Sequence, residues 1–195
     1  DKIIAEARSL VLKNGFSGTS IDQILDRTGI TKGAFFYHFK TKNILAKALI
    51  EDFANEDLGY MRKSLEMVNE KYDKPLDKLL AFIQYFIDMM SGLTEAYPGC
   101  LYISYTSEPN QFDEEIKEVV SGTILIWRNT MMKLLEDTVE DLGIKPGVDL
   151  QSLADHLFIV FEGSFVVSQA LEDKDLIANQ IKHYKHYLEV LFKKA

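Results

Sequence analysis

The stretch from Thr19 to Lys47, TSIDQILDRTGITKGAFFYHFKTKNILAK, constrains the fold more than any other part of the chain. It holds two short amphipathic segments separated by a glycine-containing turn, and its basic end opens a further helical segment. Ser20 followed by Gln23 is a capping-box pattern, Gly29 is typical of a helix end, and Thr31 is a suitable N-cap. The stretch therefore predicts a helix-turn-helix, in which one short helix braces another.

The rest of the chain predicts an all-α fold with about nine helices. The four prolines fall at helix boundaries, and no alternation of apolar and polar residues is long enough for a sheet. We expect helices at about 2–14, 20–27, 32–38, 41–67, 76–93, 99–107, 113–142, 150–171 and 175–193. Residues 1–47 then form a helix-turn-helix domain, and residues 48–195 form a second helical domain. Only the segment Tyr102 to Thr106 has a composition that also suits a strand.

Charge is unevenly distributed along the sequence. Residues 1–47 contain eight Lys or Arg and four Asp or Glu, a balance of +4, so the other 148 residues carry −12 of the total charge of −8. A basic end on an acidic body favours contact with a polyanion at that end alone. Since the chain begins at Asp1 rather than at Met, an additional basic N-terminal arm is compatible with this sequence.

Composition also limits the cellular location and the class of protein. The chain has no run of eighteen apolar residues, no signal-peptide pattern at its start and a single cysteine, so we expect a cytoplasmic protein. It lacks the HExxH, paired CxxC, phosphate-loop and nucleophile-elbow motifs, and we predict neither an enzyme nor a bound cofactor. A helical enzyme with scattered catalytic residues and an architectural DNA-binding protein remain the alternatives outside the class of regulators.

The side chains left on the outer face of the third helix suit a DNA duplex. Thr31 and the backbone N–H groups at the helix start can bind phosphate, and Tyr37 and Lys42 can clamp phosphates further along. The residues that can read bases are Lys32, Gly33, Ala34 and His38. Gly33 and Ala34 keep the helix start slim, so its backbone can approach base edges.

The combination of TSI..I…TGITKGAFFYHFKTK..L, over about residues 3–50, resembles the N-terminal region of TetR/AcrR-family transcriptional regulators. The resemblance implies an Ω-shaped all-α homodimer that binds a palindromic DNA operator and has a C-terminal domain for a small-molecule effector. It implies phosphate contacts by Ser20, Thr31, Tyr37 and Lys42. Where the family usually has a phosphate-binding Tyr, this chain has Phe36, and we expect Tyr37 to replace that contact.

The last two predicted helices favour a dimer interface. Segment 150–171 is apolar on nearly all sides, and segment 175–193 carries an apolar stripe, so two copies of this pair would form a four-helix interface. An internal core is the competing interpretation. The residues we predict at the interface are Leu157, Phe161, Phe165, Ile181, Tyr184 and Leu188.

An effector pocket is predicted where aromatic, methionine and isolated polar residues interrupt the apolar helices. The candidates are Phe82, Tyr85, Phe86, Met89, Met90, Tyr97, Cys100, Tyr102, Tyr105, Trp127, Met131, His156, Phe161 and Glu162. Each of them taken singly is also an ordinary core residue, and the expectation of a pocket comes mainly from the family resemblance.

Two further features have competing interpretations. Cys100 follows Pro98-Gly99 at a helix start, where a thiol that senses electrophiles or oxidants is an alternative to a small buried core residue. His183 and His186 have a spacing that can bind a metal, but their lysine neighbours indicate a solvated face, and we predict no metal site.

The sequence as a whole predicts a ligand-responsive repressor. An effector bound in the acidic domain would change the arrangement of two DNA-binding modules in a dimer, and the long helix from Thr41 would carry that change. A regulator that senses thiol chemistry through Cys100 is the alternative within this class.

Overall fold

The computed structural model describes residues 2–144 and 146–192, and within them the chain is all-α, as predicted. The α-helices are α1 (Lys2–Asn14), α2 (Ile21–Thr28), α3 (Lys32–His38), α4 (Lys42–Lys71), α5 (Pro75–Ser91), α6 (Leu101–Ser107), α7 (Glu114–Leu142), α8 (Leu150–Leu171) and α9 (Leu176–Phe192). A short 3-10 helix, Pro109–Gln111, lies between α6 and α7.

The predicted helix positions are confirmed to within a few residues. The segment with strand-like composition is helical, as α6, because Tyr102 and Tyr105 are both buried on one side of a single helical turn. Helix α4 extends to Lys71, beyond its predicted end near residue 67. Lys193, the predicted last residue of α9, lies outside the described residues.

The chain divides into two compact units, which we call the head unit and the body unit. The head unit consists of Asp1–Leu58 with Pro98–Thr123, and the body unit of Gly59–Tyr97 with Ile124–Ala195. This division differs from the predicted one at residues 47 and 48, because α6 and the start of α7 pack with the helix-turn-helix. Contacts between residues so distant in sequence leave no local pattern from which this division could be predicted. The boundary between residues 47 and 48 remains a prediction about the functional domains.

Each unit has its own apolar core. In the head unit, Ala7, Val11, Ile24, Phe35 and Leu49 are almost completely buried. In the body unit, α9 packs against both α5 and α8, and the buried side chains include Leu79, Phe82, Ile83, Leu157, Ile177 and Leu188. Burial of this size is the main source of stability for each unit.

One helix in the described part of the chain, α8, is long and apolar enough to span a membrane by those two criteria alone. The sequence contains no run of eighteen apolar residues, since Asp155 and Glu162 interrupt this helix. A single helix of this kind is weak evidence for a membrane. One side of α8 packs along α9 in the body unit, and its other side carries exposed apolar residues.

Candidate nucleic-acid interface

The start and end of α2 are held by the local interactions that the sequence predicts. The Ser20 hydroxyl accepts a hydrogen bond from the Gln23 N–H at 3.2 Å, and the Gln23 side chain accepts one from the Ser20 N–H at 2.7 Å. At the other end Gly29 adopts a left-handed conformation with φ of 71° and donates to the Leu25 carbonyl at 2.8 Å. Local hydrogen bonds thus hold both ends of α2, and the Lys2 ammonium adds a distant one by donating to the Thr28 carbonyl at 2.9 Å.

Helix α3 is fixed on one side and open on the other. The Thr31 hydroxyl accepts a hydrogen bond from the Ala34 N–H at 3.2 Å and caps the helix. Phe35 is completely buried, and its ring lies 5.8 Å from the ring of Phe39. This anchor determines which side chains of α3 face away from the core of the head unit.

Seven of the eight residues predicted to contact DNA are exposed on α3, at its start or at the start of α2, and we call this set the reading face. All of them are exposed: Ser20, Thr31, Lys32, Gly33, Ala34, Tyr37 and His38. The Tyr37 side chain is 83% exposed and meets the His38 ring edge-on at 5.3 Å. The nearest group to a side chain added at Gly33 is the Thr31 hydroxyl oxygen, 4.0 Å away, so the glycine leaves a slim surface there. Their contacts with DNA remain a prediction.

Lys42, the eighth predicted contact residue, lies in a different environment. Its ammonium donates a hydrogen bond to the Phe16 carbonyl at 2.6 Å and lies 4.4 Å from the centre of the Phe16 ring. Burial lowers the pKa of Lys42, and the negative charge of Glu108 partly opposes that effect. In this conformation Lys42 is bound to its own chain rather than presented to solvent like Lys32.

Sequence reasoning missed Glu108, which holds the loop between α1 and α2. Its carboxylate accepts hydrogen bonds from the Phe16 N–H at 2.9 Å, from the Ser17 N–H at 3.0 Å and from the Ser17 hydroxyl. Burial opposes its ionisation, but these hydrogen bonds and the charge of Lys42 outweigh it, so the pKa of Glu108 lies below its usual value. Ser17 and Glu108 are 91 residues apart, and no local sequence signal connects them.

Two more acidic residues close to Glu108 in sequence contact the start of α4. The Asn43 side-chain amide donates to Asp113 at 2.6 Å, and Asp113 also caps α7 by accepting from the Ile116 N–H at 3.1 Å. Lys47 forms an ion pair with Glu115, and this hydrogen bond raises the pKa of Lys47. Three carboxylates between residues 108 and 115 therefore contact the loop between α1 and α2 and the start of α4, and we call these three residues, Glu108, Asp113 and Glu115, the acidic segment.

Three of the predicted pocket residues lie in the head unit, and their role in a pocket remains a prediction. The Tyr105 hydroxyl donates to the Ala46 carbonyl, and its ring stacks on Phe112 with centres 4.3 Å apart. The Tyr102 hydroxyl donates to Asp57 at 3.0 Å. Burial raises the pKa of both tyrosines, so they stay neutral at physiological pH. The two hydroxyl groups thus connect α6 to α4.

Cys100 is the third of these residues, and it is buried at the N-cap of α6. Burial limits access to the thiol by an oxidant or electrophile. Cys100 therefore has the helix-start position on which the sensing hypothesis rests. Its burial, however, also suits a small core residue.

Most of the other predicted pocket residues form an aromatic cluster in the body unit. Rings of α5, α7 and α8 meet edge-on or tilted: Phe86 lies 5.2 Å from Trp127 and 5.8 Å from Phe161. Phe82 also belongs to the cluster; Met90 and Met131 are buried in the same unit, while Tyr85, Met89, Tyr97 and Glu162 are half-buried. His156 does not belong to it, because its side chain is on the exposed side of α8.

The residues predicted at the dimer interface lie inside the body unit, and their contact with a second chain remains a prediction. Leu157, Phe161, Phe165, Ile181, Tyr184 and Leu188 are all buried within one chain, and the Tyr184 hydroxyl donates to the Leu153 carbonyl at 2.7 Å. They form the internal packing between α8 and its neighbours, which was the competing interpretation. The same two helices expose other apolar side chains: Ile159, Val166, Val167, Leu171, Tyr187 and Val190.

Histidines in the described part of the chain show no metal-binding arrangement. His183 and His186 are exposed on α9, and His186 Nδ1 lies 3.4 Å from a Glu189 carboxylate oxygen. Among the described residues no group of three His, Cys, Asp or Glu side chains is placed to hold a metal ion.

Comparison with known proteins matches both parts of the chain to one family. Residues 3–49 match the family model of bacterial regulatory proteins of the tetR family. Residues 75–184, more than half of the chain, match that of the tetracycline repressor-like C-terminal domain.

Individual relatives agree with this result over different shares of the chain. An uncharacterised HTH-type transcriptional regulator of Lactococcus lactis subsp. lactis is 23% identical over 97% of this chain and 92% of its own. IcaR, an HTH-type negative transcriptional regulator of the biofilm operon icaADBC in Staphylococcus aureus, is 28% identical, but only over 60% of this chain and 58% of its own length.

Solved structures show the same fold. A TetR transcriptional regulator of Chloroflexus aurantiacus is 25% identical and superposes with a TM-score of 0.78 over 99% of this chain and 95% of that chain. The helix-turn-helix with its exposed reading face, the all-α body and the two family matches agree with each other. The chain therefore belongs to the TetR family of bacterial regulatory proteins and is a DNA-binding transcriptional regulator.

Proposed function

We propose that this protein is a cytoplasmic repressor that binds a palindromic operator as a homodimer and is released by a small-molecule effector. The observation that carries the proposal is the reading face. Seven residues able to contact phosphates or base edges are exposed together on and beside α3, in the part of the chain whose charge balance is +4.

Within the reading face we assign two roles. Ser20, Thr31 and Tyr37 contact phosphates, since hydroxyl groups and helix N-termini are common phosphate ligands. Lys32, Gly33, Ala34 and His38 approach base edges in the major groove, where the amine can bind guanine and the alanine methyl can contact thymine. Lys42 is a phosphate ligand only after its ammonium leaves the Phe16 carbonyl.

The homodimer forms, in this proposal, through the exposed apolar side chains of α8 and α9. They include Ile159, which is 61% exposed, and Leu171, which is 66% exposed, together with Val166, Val167, Tyr187 and Val190. Several exposed apolar side chains on two helices that pack together favour an interaction site. A dimer places two reading faces on two half-sites about one or more helical turns apart, which explains the palindrome.

The effector site is proposed at the aromatic cluster of the body unit around Phe86, Trp127 and Phe161. Apolar walls with methionines and one half-buried carboxylate, Glu162, are typical of pockets for small organic ligands. The effector must bind one arrangement of the dimer more tightly than the other to change operator affinity. Helix α4, which begins in the head unit and ends in the body unit, is the proposed connection.

Selection of bound DNA from a random duplex pool tests this function. We expect the full chain to enrich an inverted repeat with two equal half-sites, and the enriched duplex to bind one dimer. Recovery of no preferred sequence, or of a single half-site bound by a monomer, would reject the proposal. The targets found in this way would then supply candidate effectors from the genes that adjoin them.

A further inference from the structure

The loop between α1 and α2 has the chemistry of an anion site, and its own chain fills it. Two backbone N–H groups, of Phe16 and Ser17, and the Ser17 hydroxyl all donate to the Glu108 carboxylate. Backbone N–H groups and hydroxyls are the donors that proteins also direct at phosphate. A carboxylate therefore occupies donors that a DNA phosphate oxygen would also satisfy.

Lys42 belongs to the same arrangement. Its ammonium donates to the Phe16 carbonyl, so the residue that gives its N–H to Glu108 gives its carbonyl to Lys42. The charges of Lys42 and Glu108 act on each other, as the pKa of each group reflects. Lys32 and Lys40, by contrast, are exposed on the same unit.

Gly15, at the start of this loop, lies close to the Glu108 carboxylate. Gly15 has a φ of 75°, a conformation that favours glycine, and its N–H donates to the Val11 carbonyl at 2.9 Å. A Cβ added at Gly15 would lie 3.0 Å from Glu108 Oε1. The close approach of the carboxylate thus depends on the glycine.

The other two carboxylates of the acidic segment hold the head unit independently. Asp113 accepts from Asn43, and Glu115 pairs with Lys47. Tyr105, just before Glu108, is anchored to the Ala46 carbonyl. Loss of the Glu108 charge alone would therefore leave α6 and the start of α7 attached to the helix-turn-helix.

We propose that Glu108 is an internal competitor of the DNA backbone, which restrains Lys42 and the Phe16–Ser17 loop until the operator displaces it. When the operator binds, the Lys42 ammonium moves away from Glu108 and contacts a DNA phosphate. The Glu108 carboxylate then leaves the N–H groups of the loop. The contact of Glu108 with the loop and Lys42 lowers the affinity for any DNA. The carboxylate repels the phosphates, and it keeps the positive charge of Lys42 in each head unit away from them. This inference rests on the proposed function and adds a regulatory residue to it.

The decisive variant is Glu108→Gln, assayed against the selected operator over a range of salt concentrations. We expect it to bind about tenfold more tightly than wild type with the same salt dependence, because Lys42 contacts a phosphate in both complexes and only the competition from Glu108 is removed. Adding Lys42→Ala to Glu108→Gln should abolish the gain and make the salt dependence shallower by about 1.8 per dimer, since each lost phosphate contact is worth about 0.9. Glu118→Gln removes the same charge from an exposed site on α7 and should bind the operator like wild type.

A measurement on the wild-type protein covers the case in which Glu108→Gln fails to fold. The carboxyl carbon of Glu108, followed by NMR, should shift on addition of the operator toward the position of an exposed glutamate such as Glu118, because DNA displaces the carboxylate from the loop. An unchanged Glu108 carboxyl signal in the operator complex would overturn the inference.

The remaining outcomes separate the two proposals. If wild type binds its operator and Glu108→Gln binds with equal or lower affinity, Glu108 is only a structural support and the inference fails alone. If wild type selects no duplex at all, the proposed function fails and this inference fails with it.

Discussion

The head unit and the body unit place their candidate functional residues at opposite extremes of burial. The reading face consists of exposed side chains on short helices, with Tyr37 83% exposed. The aromatic cluster consists of side chains such as Phe82, Phe86 and Trp127 that are almost completely buried. The head unit thus presents its chemistry on a surface, and the body unit holds its proposed site inside its core.

This difference separates function from stability in one unit and joins them in the other. A change on an exposed face alters binding with little effect on folding. A change in a packed core leaves a cavity and lowers the free energy of unfolding, whatever it does to a ligand. The expected consequences are ordered below from the largest effect to the smallest.

Trp127→Ala is expected to have the largest effect. Its ring packs against Phe86 and Phe161, so truncation should lower the free energy of unfolding by about 3–5 kcal/mol. Tyr37→Ala, an aromatic truncation on the reading face, should change it by no more than about 0.5 kcal/mol. Urea unfolding measures both, and equal losses would remove the contrast between the two units.

Charge on the exposed side of α8 should break the dimer. The pair Ile159→Lys and Leu171→Lys places two cations on the proposed interface, where each buried aliphatic side chain contributes about 1.5–3 kcal/mol. Each 1.4 kcal/mol of association free energy that is lost raises the dimer dissociation constant about tenfold, and we expect an increase of at least that size. Met67→Lys, at an exposed position of α4, is the matched control. Sedimentation velocity reads the result, and an unaltered dimer would place the interface elsewhere.

Ser20→Ala should have a smaller effect, confined to the head unit. It removes the hydroxyl that accepts from the Gln23 N–H and should cost about 1 kcal/mol of unfolding free energy, whereas Ser20→Gly should cost only a few tenths. Hydrogen exchange of the first-turn amides of α2 measures the loss. The capping box would be of no consequence if alanine and glycine gave the wild-type rate.

The smallest expected effect is a pH dependence that originates at Glu108. Its pKa is lowered from the usual 4.5 in the folded protein, so the stabilisation is present above that value and is lost as the pH falls through the folded pKa. The difference in urea midpoint between wild type and Glu108→Gln should therefore narrow between pH 6 and pH 3. A difference independent of pH would mean that the ionised carboxylate is not what holds the loop.

The head could be predicted from the sequence residue by residue because its signals are local. The capping box at Ser20, the left-handed Gly29 and the cap at Thr31 each act within a few residues, and all three are found as predicted. The exposed side of α3 follows from them once Phe35 is placed in the core. The charge balance then indicates the kind of partner, although no base sequence can be derived from it.

The body could not be predicted to the same depth, because α8 is apolar on nearly all sides. Leu157 and Ile159 are both aliphatic and two residues apart, yet Leu157 is completely buried and Ile159 is 61% exposed. Only packing against α9 and α5 decides which side faces inward. The contact between Glu108 and Ser17 was missed for the same reason, since it joins segments 91 residues apart.

The most direct test of this account is a titration of the selected operator with the double variant Lys32→Ala and Tyr37→Ala. Both side chains are exposed on the reading face, so the variant should keep the wild-type melting temperature and lose at least about tenfold in affinity, with a shallower salt dependence. Lys63→Ala, an exposed lysine of α4 in the body unit, should bind like wild type. Wild-type affinity and salt dependence in the folded double variant would contradict the central claim that this face of α3 binds DNA.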